Sequence, residues 1–230
     1  MMKKKSLLSE LRAAERKHGQ FESLDLLIPD LSGILRGKRV RRREFDKITR
    51  DGFVFCAGTT LLNSLGEVTS GVPYGPDDGD PDLPARMVPG SIVPVPWSSK
   101  PMAQAFFRIE ETDGSPFFAD SRTVLENALR PLAKRGIRPV VATELEFYLL
   151  DGRREEIVAG APKVPGTDRL QPGAQVYLPD DLFEVEGFLD DVYDWCALQG
   201  VPAEAAISEY SPGQFEINLH HVDDAVQACD

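Results

Sequence analysis

The spacing of apolar residues changes along this chain, and each change marks an element. Between Ser6 and His18, Leu7, Leu8, Leu11 and Ala14 share one stripe at helical spacing, and Gly19 supplies a stop. Two extended segments follow, Ser23 to Pro29 and Gly33 to Arg41, joined by the turn Asp30-Leu31-Ser32-Gly33. A short helix near Arg43 to Arg50 and strands near Phe53–Cys56, Ser91–Val95 and Ala103–Ile109 complete a small mixed domain. Between them, Gly75 to Asp82 is loop chemistry. Its aspartates do not make a calcium loop: Pro81 sits inside, Leu83 stands where the turn needs glycine, and Pro89 where the terminal glutamate belongs.

Thr112-Asp113-Gly114-Ser115-Pro116 reads as a turn and a domain boundary. Beyond it, Val124, Leu125, Ala128, Leu129 and Leu132 predict a helix from Ser121 to Arg135 with that stripe inward, Pro131 near its end and Gly136 as its stop. Val140 to Leu150 is a β-branched and aromatic run of strand length. Residues 151–178 are a long connection rich in proline and glycine, of a length usually functional or mobile. Glu184 to Leu198 is a helix burying Phe188, Leu189, Val192, Trp195 and Cys196, stopped by Gly200. Ala205–Glu209 and Gln214–Leu219 are extended segments around a Ser-Pro-Gly turn. Asp224-Ala225-Val226-Gln227 starts a helix that one turn is too short to sustain, so the chain is expected to be the N-terminal portion of a longer polypeptide.

Composition narrows the class. The 230 residues are 42% hydrophobic and 27% charged, as in an ordinary globular protein. A net charge of −11 argues against nucleic acid as a partner, because phosphate binding needs concentrated Lys and Arg. Lys3-Lys4-Lys5 and the basic run from Arg39 to Arg43 read as solvated faces. Cys56, Cys196 and Cys229 are widely spaced and odd in number, which fits a reducing compartment without disulfides. No run approaches the roughly 18 apolar residues of a membrane span, so a cytoplasmic protein without membrane partners is expected.

The candidate chemistry lies in carboxylates. Alternation puts Glu144 and Glu146 on one face of the Val140–Leu150 strand, whose apolar residues on both faces predict a strand covered on both sides. Two half-buried ionised carboxylates repel, and a cation relieves them; surface glutamates on a half-exposed strand are the other reading of this pair. If the segments around Ser-Pro-Gly fold back on each other, Glu209 and Glu216 come within reach of a shared ion. Four carboxylates without a cysteine-rich set describe a hard-cation site, suited to magnesium or manganese, and are expected to converge on one cavity. Cys56 has no nearby histidine to make it a nucleophile, and His220 and His221 read as solvated or structural.

The Glu-x-Glu strand followed by Glu-x-x-Pro-Gly-Gln-x-Glu resembles the metal-binding core of the glutamine synthetase family. Glu144 to Asp151 and Ser211 to Leu219 are most similar to its γ-glutamylpolyamine (γ-glutamylputrescine) synthetase branch, and Asp30 to Val40 resembles the family's first hairpin. The resemblance implies an α+β fold: an N-terminal helix (1–19), a β-grasp-like domain (20–112) and the first part of a glutamine-synthetase-type catalytic domain (117–230). It implies an ATP-dependent ligase joining glutamate to an amine through γ-glutamyl phosphate, working as a homo-oligomeric ring. Glu146, Glu209 and Glu216 would hold one magnesium or manganese ion, Glu144 a second at the ATP phosphates, and Glu204 would contact the nucleotide.

Ammonia-using members carry an aspartate in the loop after the first domain's central strand. Here Phe55 to Thr60 has no carboxylate, which favours a primary amine over ammonia. The family's downstream His, Arg and Glu residues are absent. The chain is therefore expected to hold about half an active site, to expose apolar surface on its later helices and glutamate strand, and not to turn over alone. Two rivals stand beside this reading: a non-catalytic assembly or regulatory relative, and a glycoside hydrolase built on paired carboxylates, for which four glutamates in two clusters are too many.

Overall fold

Burying alternate residues of two neighbouring strands organises the first of two units, Met1–Ile137; the second is Arg138–Asp230. The structure is a computed structural model and describes residues 6–152, 155, 157, 159, 160, 163, 167–170 and 176–230. In the first unit β1 (Ser23–Pro29) and β6 (Met102–Ile109) run parallel, from Ser23 opposite Met102 to Leu27 opposite Phe106. Leu24, Leu26 and Ile28 are buried with Ala103, Ala105, Phe107 and Ile109, the period of two that a half-covered sheet demands.

The remaining strands complete a mixed sheet in the order β2-β1-β6-β4-β3. Here β2 is Leu35–Arg41, β3 is Phe53–Cys56 and β4 is Asp82–Met87, while β5 (Val93–Pro94) pairs with the start of β6. Helices α1 (Leu7–His18) and α2 (Phe45–Asp51) add Leu11, Phe45 and Ile48 to the core. Phe53 and Phe55 stand edge-on to Phe107, each at 4.9 Å between ring centres. At Gly37 the β1–β2 pair is so close that an added Cβ would lie 2.0 Å from the Leu26 carbonyl oxygen.

The N-terminal helix, the β1–β2 hairpin and β3 lie where the hydrophobic pattern places them. Strand β4 does not; Pro84 within it and the aspartates before it disguise the alternation of Leu83, Ala85 and Met87. The proline is tolerated because only its donor is missing: its carbonyl still accepts from the Glu110 N–H at 2.8 Å. Helix α3 (Ser121–Lys134) forms as expected and keeps Pro131 near its end, but its stripe does not point into a core. Thr123 is its buried residue and Val124 is 47% exposed. The helical period specifies an apolar face without specifying what lies against it.

Two buried aspartates tie strands to turns. Asp30 accepts from the Ser32 and Ile34 N–H groups with one oxygen, both at 2.9 Å, and from Arg36 Nε with the other at 3.0 Å, closing the β1–β2 turn. Asp120 caps α3 by accepting from the Thr123 N–H at 2.9 Å, and its second oxygen accepts from the Ile109 N–H at 3.0 Å. Asp120 thereby joins the end of β6 to the start of α3. No helix among the described residues is long and apolar enough to cross a membrane.

Asp120→Ala should lower the stability of this unit by about 1–3 kcal/mol in urea unfolding, because two N–H groups lose their acceptor. Glu15 offers a pH test. Burial pushes its carboxyl up, but the guanidinium groups of Arg42 and Arg12 and the Phe21 N–H hold it below the usual carboxylate range. A lowered folded value means the interaction stabilises above about pH 4.3 and is lost as pH falls through that lower value. Wild type should therefore exceed Glu15→Gln in Tm at neutral pH, and the gap should close on acidification.

Candidate active site

In the second unit β7 (Glu144–Tyr148), β8 (Ala203–Ser208) and β9 (Gln214–Leu219) form an antiparallel sheet in the order β7-β9-β8. Its apolar face holds Phe147, Phe215 and Ile217, and Phe215 and Ile217 are buried together with Leu189 of α5 (Glu186–Gln199). The Phe147 ring lies 5.7 Å from Phe188 of α5 and 6.2 Å from Phe215. A short helix α4 (Pro179–Phe183) precedes α5. Of the residues expected to be buried on that helix, Leu189 is, while Phe188 remains 41% exposed.

With that face assigned, alternation leaves the other to Glu144, Glu146 and Tyr148 on β7 and to Gln214, Glu216 and Asn218 on β9. The register sets Glu146 directly opposite Glu216, Glu144 opposite Asn218 and Tyr148 opposite Gln214. Across the other edge Glu216 faces Ile207 of β8. Two residues further on, Glu209 continues the alternation onto the same face, and its N–H closes the hairpin on the Gln214 carbonyl at 2.9 Å. One sheet face thus carries all four candidate metal ligands.

At β7 that face is exposed. Strand β7 lies at the sheet edge, and Glu144, Leu145, Glu146 and Tyr148 are exposed, so the expectation of a strand covered on both sides is corrected. Among the described residues no three His, Cys, Asp or Glu side chains are grouped so as to hold a metal ion. The donor set nevertheless fits a hard divalent cation in kind, being all carboxylate oxygen. Glu216 is only 6% exposed, and among the described residues it accepts from Asn218 Nδ2 at 2.6 Å.

Glu204, the candidate nucleotide contact, sits at a bulge between Ala203 and Ala205 and is exposed. Its carboxylate lies 3.3 Å from His220 Nδ1. Residues 153, 154, 156, 158, 161, 162, 164–166 and 171–175 of the long connection, expected to be functional or mobile, lie outside the described ones. The closing signal Asp224-Ala225-Val226-Gln227 does form a helix, α6 (Ala225–Cys229), because the Asp224 carboxylate accepts from the Val226 and Gln227 N–H groups at 3.0 and 3.2 Å. Three polar residues escaped notice in the sequence: Tyr148, Gln214 and Asn218. All three share the period of a glutamate on their own strand, Tyr148 on β7 and the other two on β9, and were legible on that ground.

Comparison with known proteins gives this sheet, acidic on one face and packed against a helix on the other, a family. Residues 118–230 match the family described as glutamine synthetase, catalytic domain. The chain is 37% identical over 222 residues to gamma-glutamylputrescine synthetase of Escherichia coli (strain K12), covering 96% of this chain and 47% of that one. It is 28% identical over 235 residues to glutamate–isopropylamine ligase of a Pseudomonas species, covering 99% and 49%. A solved structure titled as a novel glutamine synthase homolog shares the fold at a TM-score of 0.72 and 21% identity, over 91% of this chain and 45% of that one. The chain belongs to the glutamine synthetase family, and it spans about half the length of the curated relatives it matches.

The turn between β8 and β9 should be the least forgiving part of this site. Gly213 has φ +74°, and an added Cβ would lie 2.5 Å from the Gly160 carbonyl oxygen. Gly213→Ala should cost more than about 1 kcal/mol of stability and raise hydrogen exchange at the Glu209 and Leu149 amides, which bond across this turn.

Proposed function

We propose that this chain supplies the acidic, cation-binding part of an ATP-dependent glutamate–amine ligase. The observation that carries the reading is the direct opposition of Glu146 and Glu216, with Glu144 and Glu209 on the same face, inside the segment that matches the catalytic-domain family. In this reaction a γ-carboxylate oxygen of glutamate attacks the γ-phosphorus of ATP, giving γ-glutamyl phosphate and ADP. The amine nitrogen then attacks the activated carbonyl carbon, phosphate leaves, and the nitrogen gives up a proton to become the amide.

Both steps gather negative charge, so positioning and charge neutralisation are the main requirements. Glu146, Glu209 and Glu216 would hold one Mg2+ or Mn2+ and Glu144 a second, and these ions would supply the neutralising charge at the phosphates. Glu204 is assigned to the nucleotide. The β-grasp-like reading of residues 20–112, the catalytic domain from 117, a homo-oligomeric ring and a cytoplasmic setting belong to the same proposal.

The acceptor is proposed to be a primary amine. Two features support this: relatives are named for putrescine and isopropylamine, and Cys56 to Thr60 offers no carboxylate for ammonium. That stretch is the end of β3 and a short helical turn, Ala57–Leu61, whose Ala57 and Thr60 are buried.

Phosphate release with glutamate and ATP, in the protein that contains this chain, tests the reading. Putrescine, ethylamine or spermidine should outperform ammonium, and Glu146→Gln should reduce the rate on the order of a hundredfold. A clear preference for ammonium would overturn the amine assignment. Full activity of Glu146→Gln would overturn the site.

A further inference from the structure

We infer that Gln214 and Asn218 are positioning residues that set the two opposed carboxylates of this face, each through its side-chain amide. The inference rests on the reading of Glu146 and Glu216 as cation ligands. Like charges directly opposite on paired strands repel, and Glu146 and Glu216 are such a pair. Strand pairing and apolar packing oppose them, and their carboxylate oxygens still have to be aimed before any cation arrives.

The orientation of Gln214 is dictated by its partners. The Ser211 N–H can only donate, so the amide oxygen of Gln214 faces it at 3.2 Å. That oxygen also accepts from the Tyr148 hydroxyl at 3.2 Å. The amide nitrogen is left to donate to Glu146 Oε2, at 2.7 Å. Glu146 is therefore aimed by a group anchored in the β8–β9 turn and braced across the strand pair.

Asn218 does the same for the opposing residue. It lies two residues along the same face of β9 and donates from Nδ2 to Glu216 Oε1 at 2.6 Å. The two amides place partial positive hydrogens at the two charged groups, and hydrogen bonds to an ionised acceptor are the stronger kind. They also fix one oxygen of each carboxylate, which reduces the rotamer freedom lost when a cation binds. Partners of metal ligands that act in this way typically contribute 10–100-fold to affinity.

Mn2+ titration of the protein, followed by the loss of the free-ion electron paramagnetic resonance signal, tests this directly. Gln214→Leu and Asn218→Ala should each weaken Mn2+ binding by about 10–100-fold, and each should lower the Tm of the metal-free protein. Because Gln214 also braces the turn, Asn218→Ala, which leaves the turn bonds in place, keeps the test decisive if Gln214→Leu fails to fold. In a Glu146→Gln background Gln214→Leu should cause no further loss, whereas Asn218→Ala should keep its full effect. A merely structural Gln214 would lose the same amount in both backgrounds. Mn2+ affinities within about twofold of wild type for both variants would overturn the assignment. If wild type itself binds no Mn2+, the cation reading falls and takes this inference with it.

Discussion

The β7–β9–β8 sheet has to bury one face, and that requirement governs the acidic site more than any property of the glutamates. Phe147, Phe215 and Ile217 face α5, and burying a side chain of that size contributes roughly 1.5–3 kcal/mol. The opposition of two like charges across a strand pair costs up to about 1 kcal/mol in exposed settings and more where one partner is buried, as Glu216 is, which is still less than the burial of three such side chains. Apolar burial therefore wins, and it sets Glu146 against Glu216 despite their repulsion. A slip of β7 by one residue against β9 would turn Phe147 outward and Glu144 and Glu146 toward α5.

Buried carboxylates in the two units make an instructive contrast. Asp30 and Asp120 are almost fully enclosed, and each has both oxygens engaged: Asp120 by two N–H groups, Asp30 by two N–H groups and Arg36. They are structural groups with their charge compensated inside the protein. Glu216 is nearly as buried, and among the described residues it accepts from the neutral amide of Asn218. Its place opposite Glu146, on the face that carries the other glutamates, rather than its burial, sets it apart from the two aspartates.

Long elements with a clean period were legible before any coordinates. The stripe of α1, the alternation of β1 and β6, and the Ser-Pro-Gly turn between β8 and β9 carry their own geometry, because helix and strand periods act through nearest neighbours in the chain. Strand β4 was not legible, since Pro84 and the preceding aspartates imitate a loop and only pairing with β3 and β6 reveals the strand. The α3 stripe was seen, but its surroundings could not be, because amphipathicity states a preference for burial and not a partner.

The four glutamates themselves, their pairing in the chain and their hard-oxygen chemistry were set by the amino-acid sequence alone, as was the resemblance to glutamine synthetases. That Glu144 and Glu146 share a face also followed from alternation, a local property. Which glutamate stands opposite which, why β7 is an exposed edge rather than a covered strand, and how Gln214 and Asn218 hold the carboxylates were decided only by tertiary structure. Strand order and register depend on contacts between residues some 70 positions apart, such as Glu146 and Glu216, and on where α5 lies. Such contacts arise from packing across the sheet, and no local pattern encodes them.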